Sequence, residues 1–238
     1  MSRGAHSIAD RILEVPITCL FTAIVLGVFA IAWTHGEHEG ISLSGDTLRS
    51  YGAMHRVLVS NGDYWRLLTA MFMHANWLHL LLNTYMLFTW GGEVERTVGS
   101  VWFSFAYVTT GLGASAVSVL SHSVTSVGAS GALFGIVAVV LAILYRRAGS
   151  WESFMSNPGA RSILVQSVVW ILIGFSVLRG IDNYAHLGGF AFGIPCGLLL
   201  EGRRGRNRNR WIAGLAAYIL LVLGVVVAAC IPGLGFGE

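Results

Sequence analysis

The chain alternates between long apolar runs and short polar connections. Seven runs approach the length of about 20 residues that a helix needs to cross the hydrocarbon core of a bilayer. We expect transmembrane helices near residues 16–34, 77–92, 101–121, 129–145, 162–178, 184–200 and 211–231. The pattern therefore predicts an all-α polytopic membrane protein with a single membrane domain.

The longest connection covers about residues 35–76. Its second half mixes apolar residues such as Trp65 and Phe72 with charged residues such as Arg56 and Asp63. This mixture is typical of a segment that lies in the membrane interface, and loops of this length are usually functional. We therefore expect an outer interfacial loop between the first and second helices.

The composition supports a membrane protein and excludes a soluble one. Of the 238 residues, 55% are hydrophobic and 11% are charged, whereas a soluble domain carries roughly 25% charged residues. All cysteines lie inside apolar runs, and their spacing suits neither a disulfide framework nor a metal site. The sequence therefore predicts no metal and no cofactor. The cysteines are Cys19, Cys196 and Cys230.

Arginine supplies every positive charge of the chain, which has no lysine and a formal net charge of +3. If the seven spans alternate in direction, most arginines fall on one side of the membrane, including the run RRGRNRNR at 203–210. The positive-inside rule then predicts a cytoplasmic N-terminus and a C-terminus outside. In a short loop between two membrane helices, the arginine run is interpreted as a topology determinant that contacts anionic lipid, and not as a nucleic-acid site.

The predicted spans and the arginines divide the chain into four parts. The parts are a cytoplasmic N-terminus at 1–15, a six-helix core at 16–200, an arginine-rich cytoplasmic loop at 201–210, and a seventh helix with a short outer tail at 211–238.

The first apolar run lacks a small-residue cleavage site, so we interpret it as a retained helix. The compact form of the chain favours the plasma membrane of a bacterium as its location.

Three predicted helices carry polar side chains at membrane depth, where such groups face a site or the bundle interior. His79 and Asn83 lie four residues apart and so share one face of the second helix. Ser130 opens the fourth helix within Gly-Ala-Ser-Gly, and His186 lies in the sixth. Taken one at a time, each is also explained by helix packing or interhelical hydrogen bonding.

Together these residues supply the parts that acyl transfer requires. A serine hydroxyl becomes a nucleophile when a base within reach takes its proton, and neutral imidazole suits that task. An Asn amide, a second His and a backbone N–H at a helix start can stabilise the oxyanion. The chain has no HExxH zinc motif and no pair of carboxylates within a span, and Asp182 is predicted to cap the sixth helix.

Several short motifs occur in a fixed order along roughly residues 60–200. They are Trp65-Arg66, His79 with Asn83, the ExxxG pair Glu95 and Gly99, the GxSG residues Gly128, Ser130 and Gly131, and the AHxxGxxxG residues Ala185, His186, Gly189 and Gly193. The GxSG motif alone is weak, but the whole set in this order is highly specific. With it the chain resembles the rhomboid intramembrane serine proteases.

The resemblance implies a six-helix core with one extra C-terminal transmembrane helix. It also implies an active site that opens to the outer face through a water-filled cavity. Ser130 would attack the scissile carbonyl, and His186 would be the general base and then the general acid, without an aspartate. Phe134 would pack against this histidine, lacking the hydroxyl that a tyrosine carries there in some members.

Further roles come from the same resemblance. The side chains of His79 and Asn83, with the backbone N–H of Ser130, would hold the oxyanion. His74 is expected at the polar rim of the site. The remaining motif residues, which the resemblance makes structural, are Trp65, Arg66, Glu95, Gly99, Gly128, Gly131, Gly189 and Gly193.

The implied function is an intramembrane serine endopeptidase that cleaves membrane proteins in or near their transmembrane segments. Its partners would be transmembrane protein substrates and membrane lipids, with no nucleic acid. The alternative is a non-catalytic rhomboid-like protein that binds transmembrane helices, although such relatives usually lack the serine or the histidine. A channel or transporter is disfavoured because the spans lack buried carboxylates and broken helix pairs.

Overall fold

A computed structural model describes residues 14–121, 125–176, 181–203, 205 and 207–234. Parts of the sequence predictions lie outside these described residues. They are the predicted cytoplasmic N-terminus up to residue 13, the end of the fifth span after residue 176 with Arg179, two arginines of the 203–210 run, and the last four residues of the outer tail.

Helices dominate the described residues, and each of the seven predicted spans is mainly helical over its described part. A 3₁₀ turn at Ala70–Phe72 follows α4, and a π-helical segment at Leu87–Gly91 joins α5 to α6. The elements are α1 Pro16–His35, β1 His38–Glu39, β2 Ser42–Leu43, α2 Gly45–Ser50, α3 Arg56–Ser60, α4 Arg66–Thr69, α5 Trp77–Met86, α6 Gly92–Val98, α7 Ser100–Ser121, α8 Ser130–Ala148, α9 Trp151–Ser156, α10 Pro158–Ser176, α11 Asn183–Gly202 and α12 Arg208–Cys230.

Four of these helices, α1, α7, α8 and α12, combine enough length and hydropathy to cross a membrane. Helix α10 adds a shorter apolar stretch at Pro158–Gly174. The prediction of an all-α polytopic membrane protein is therefore confirmed.

Two helix ends differ most from the predicted spans. The second span, predicted at 77–92, continues to Val98 and ends at Gly99, whose φ of 89° breaks the helix. The fifth span, predicted to begin at 162, begins at Pro158 because the side chain of Asn157 accepts from the Ala160 N–H at 3.0 Å. Hydropathy misses both extensions because polar residues form them.

The predicted interfacial loop contains the β1–β2 hairpin and three short helices, α2 to α4. Arg66 organises it: the buried guanidinium donates to the carbonyls of Arg49 at 2.6 Å and Ala53 at 3.0 Å. It also pairs with Asp63 at 2.8 Å and lies over the half-exposed Trp65 ring, 4.4 Å from its centroid. The single guanidinium of Arg66 therefore holds several parts of the loop together and fixes its path.

The centre of the bundle is formed by α7, α8 and α11, of which α11 packs closely on both others. The seventh helix, α12, packs along α7. The Tyr218 hydroxyl donates to Thr109 Oγ1 at 3.0 Å, and Trp211 Nε1 donates to the Leu199 carbonyl at 3.0 Å. The remaining surface of α12 is mostly apolar and exposed, as expected for a helix that faces lipid.

The start of α1 depends on a residue far along the chain. Pro16 has no N–H, and the Cys19 N–H donates to the Val15 carbonyl at 3.1 Å. The two N–H groups between them, of Ile17 and Thr18, donate to the Glu95 carboxylate at 3.0 and 2.8 Å. Glu95 therefore completes the hydrogen bonds of this helix terminus and joins α6 to α1.

We predict that Glu95→Ala lowers the unfolding free energy by about 2–4 kcal/mol. The change leaves two backbone donors of α1 unpaired at a position where the side chain is only 2% exposed. Thermal unfolding of the purified protein in detergent measures the effect. Glu93→Ala, at an exposed position of the same helix, is the matched control and stays within about 0.5 kcal/mol of the parent. Equal stabilities of the two variants would contradict this assignment.

Candidate active site

Ser130 is the first residue of α8; Ala129 before it has helical dihedral angles, and the backbone leaves the helical region at Gly128. Gly128 has a φ of 121°, and its N–H donates to the Ala70 carbonyl at 2.9 Å. The first N–H···O bond of α8 runs from Leu133 to Ala129. The N–H groups at the start of the helix precede this bond and have no partner within the helix, so Ser130 lies among backbone donors at the positive end of the helix dipole.

His186 lies in the first turn of α11. This turn is capped by Asp182, whose Oδ1 accepts from the Ala185 N–H at 2.9 Å, and the predicted cap is thereby confirmed. The imidazole is almost fully buried, and its Nε2 lies 2.8 Å from Ser130 Oγ. That separation is a normal hydrogen bond between a hydroxyl and an imidazole.

Phe134 lies one turn after Ser130 and stacks on the imidazole of His186. The ring centroids are 4.3 Å apart and the planes are inclined by 21°. The other ring nitrogen, Nδ1, is buried and has no hydrogen-bond partner among the described residues. The orientation of the imidazole is therefore set by stacking and by the bond to Ser130, without a carboxylate on Nδ1.

The serine and the histidine meet because α8 and α11 touch backbone to backbone. A Cβ atom at Gly189 would overlap the carbonyl oxygen of Gly131, and one at Gly193 would overlap that of Gly135. Gly197 continues the contact one turn further. Sequence analysis found the first glycines but missed Gly135 and Gly197, although their four-residue spacing extends the same stripe.

Helix α5 presents His79 to the segment that leads into Ser130. The Asn76 side chain caps this helix by accepting from the His79 N–H at 2.9 Å. A Cβ at Gly128 would lie 2.6 Å from His79 Nε2 and 3.7 Å from Ser130 Oγ, so only glycine leaves room for the imidazole. Asn83 is buried one turn along, and its Nδ2 donates to the His79 carbonyl at 2.9 Å.

His74 was expected at a polar rim, and that expectation is wrong. The residue is fully buried. Its ring meets that of His79 edge to face, with centroids 5.0 Å apart. Burial, with the nearby His79, lowers the pKa of His74 from 6.5 to about 3, so the imidazole is neutral. Sequence patterns gave no sign of this burial because His74 lies in a connection.

The structure thus gathers Ser130, His186, Phe134 and His79 around one helix start. The hydrogen bonds of Arg66 go to the interfacial loop, and those of Glu95 go to α1 and to Ser100 at the start of α7. Among the described residues, no three His, Cys, Asp or Glu side chains are placed to hold a metal ion. The gathered groups are a hydroxyl, an imidazole within hydrogen-bond distance of it, and nearby N–H donors.

A family model and individual known proteins that resemble this chain point to the same family. Residues 61–203 match the family model described as a rhomboid domain. The chain is 39% identical over 158 residues to RHOMBOID-like protein 5 of Arabidopsis thaliana, covering 65% of this chain and 50% of that protein. It is 33% identical over 212 residues to Rhomboid protease GluP of Bacillus subtilis, covering 87% and 39%, respectively.

A third relative, Rhomboid-like protease 1 of Toxoplasma gondii, is 27% identical over 233 residues. This match covers 96% of the chain and 73% of the relative. The chain spans about half or less of the length of the Arabidopsis and Bacillus relatives.

We predict that Gly189→Ala lowers the unfolding free energy by about 1–3 kcal/mol, because a methyl group there meets the backbone of α8. Thermal unfolding in detergent gives the comparison. The control is Gly224→Ala on α12, where a Cβ has nothing within 4 Å and a helical alanine is neutral or slightly stabilising. A Gly189→Ala variant as stable as this control would show that α8 and α11 are not in close contact.

A second prediction concerns pH. Because the folded state keeps His74 neutral down to a pH of about 3 while the unfolded state takes up a proton below about 6.5, stability falls as the pH falls through this window. Between pH 7 and pH 5 the contribution is about 2 kcal/mol. His74→Gln removes it, whereas His35→Gln, at the exposed end of α1, keeps the parental slope. Equal slopes for His74→Gln and the parent, measured by unfolding at several pH values, would refute the assignment.

Proposed function

This chain belongs to the rhomboid family, and we propose that it is an intramembrane serine endopeptidase that uses Ser130 and His186. Membership of a family that contains a named protease supports an intramembrane protease-like function in general. The specific proposal is carried by one observation, the 2.8 Å contact between Ser130 Oγ and His186 Nε2.

The proposed reaction begins with the serine hydroxyl donating to Nε2, which requires the resting proton of His186 to be on Nδ1. Ser130 Oγ then bonds to the scissile carbonyl carbon while its proton passes to Nε2. The imidazolium returns this proton to the leaving amine as the C–N bond breaks, leaving an acyl-enzyme. Water attacks the ester with His186 again as base, and Ser130 is regenerated as the new carboxyl end departs.

We place the oxyanion of the tetrahedral intermediate between α5 and the start of α8. The N–H groups that precede the first bond of α8 supply backbone donors there. His79 is supported as a donor by its position against Gly128, where a Cβ would lie 2.6 Å from His79 Nε2 and 3.7 Å from Ser130 Oγ. Asn83 carries a second amide N–H besides the one that it donates to the His79 carbonyl.

The proposed substrates are membrane proteins cut in or near a transmembrane helix. In lipid, a helix pairs its own N–H and C=O groups, so an intact helix does not offer a carbonyl to Ser130. A segment that contains helix-breaking residues presents such a carbonyl more readily, and a small side chain before the cut fits the glycine-rich surroundings of the serine. Lipids that surround the outer helices complete the set of partners.

We also propose that the N-terminus is cytoplasmic. Contacts between described residues support the grouping of arginines at one end of the bundle: Arg203 donates to the Val98 carbonyl at 2.7 Å, and Arg147 pairs with Glu201 at 3.0 Å. The positive-inside rule assigns that end to the cytoplasm and the Ser130 end to the outer face. The bacterial plasma membrane stays a prediction from the sequence.

The test is cleavage of a tagged single-pass substrate by the purified protein in liposomes. We expect Ser130→Ala and His186→Ala each to lower the rate by at least about a thousandfold, because nucleophile and base act as a unit. Ser167→Ala, at a buried serine that bonds within α10, and His35→Ala are matched controls with parental activity.

Two outcomes would contradict the proposal. Cleavage that survives Ser130→Ala would mean a different nucleophile. No cleavage across several substrates, together with no reaction of Ser130 with a fluorophosphonate, would favour a protein that only binds transmembrane helices.

A further inference from the structure

The carboxylate of Asp182 has more partners than a helix cap needs. Its Oδ1 accepts from the Ala185 N–H at 2.9 Å, which is the cap itself. Its Oδ2 accepts from the hydroxyls of Ser118 and Ser126, each at 2.5 Å. Hydrogen bonds from a hydroxyl to a carboxylate are of the charge-assisted kind, and both serines are almost fully buried.

The bond to Ser126 runs beside the bond between the two proposed catalytic residues. Ser126 lies four positions before Ser130, and Asp182 lies four positions before His186. Each pair is separated by 56 residues along the chain. The same two segments are therefore joined twice, once by Ser126 with Asp182 and once by Ser130 with His186.

Ser126 lies in a non-helical segment, so its backbone groups are not paired by helical hydrogen bonds. Its N–H and C=O pair with Met54 of the interfacial loop at 2.8 and 3.0 Å. Two residues later the Gly128 N–H donates to Ala70. These bonds fix the segment to the interfacial loop, but neither of them connects it to α11. Asp182 makes that connection, and through Ser118 it also reaches α7.

We propose that Asp182 is a positioning residue that, through Ser126, sets the distance between Ser130 and His186. This inference rests on the proposed function. Asp182 is not the third member of a triad, because His186 Nδ1 has no hydrogen-bond partner among the described residues. Its effect is geometric: it holds the segment leading into the nucleophile against the start of the helix that carries the base.

The test separates this link from the cap. Asp182→Ser keeps a good capping residue but is too short to bond both serines as well, and Ser126→Ala removes the link from the other side. We expect each variant to lower kcat by roughly 10-fold to 100-fold with KM within about twofold, because a displacement near 1 Å is enough for such losses. Asp182→Asn, whose amide can bond the serine hydroxyls, recovers most of the activity.

The double variant Ser126→Ala with Asp182→Ser is expected to be no worse than the more damaged single variant, since both remove one interaction. Ser118→Ala, which loses only the bond to α7, is expected to retain more activity than Ser126→Ala. Ser150→Ala removes the cap of α9, so it is the control for a lost cap with unchanged kcat.

The outcomes distinguish the two proposals. Cleavage that Ser130→Ala abolishes but that Asp182→Ser and Ser126→Ala leave within twofold would overturn the positioning role alone. Losses that multiply in the double variant would overturn it as well, because they would show independent effects. Cleavage that persists in Ser130→Ala would overturn the proposed function and, with it, this inference.

Discussion

The backbone contact between α8 and α11 is the constraint on which the candidate site depends. Lipid provides no hydrophobic force to drive two apolar helices together, so their approach depends on how closely they can pack. Here the absence of side chains at Gly189 and Gly193 lets α11 lie against the carbonyls of Gly131 and Gly135. This approach brings the first residue of one helix within hydrogen-bond distance of the first turn of the other.

A second constraint follows from starting a helix at Ser130. Non-helical backbone inside a membrane protein needs hydrogen-bond partners from other parts of the protein. For the segment before Ser130, these partners come from Met54 and Ala70 of the interfacial loop and from Asp182 of α11. The loop therefore does more than connect two helices, and the buried Arg66 that fixes its path supports the site from a distance.

Sequence patterns predicted the helices and the motif residues, which depend on residues close together in the chain. Hydropathy located the long helices, four of which are long and apolar enough to cross a membrane, and the motifs around Ser130 and His186 singled out residues that the fold brings together. Contacts between distant residues could not be predicted in this way: the pairing of Glu95 with the start of α1 spans 77 to 78 residues. The burial of His74 was misjudged for the same reason, since a residue in a connection becomes buried only when other elements cover it.

In the proposed mechanism this geometry makes Ser130 a nucleophile that His186 activates. Reaction of the liposome-embedded protein with a fluorophosphonate, followed by peptide mapping by mass spectrometry, tests it most directly. We expect one adduct, on Ser130, whose formation is lost in His186→Ala and retained in His35→Ala. An adduct on another residue, or labelling of Ser130 at the parental rate in His186→Ala, would show that His186 does not activate Ser130.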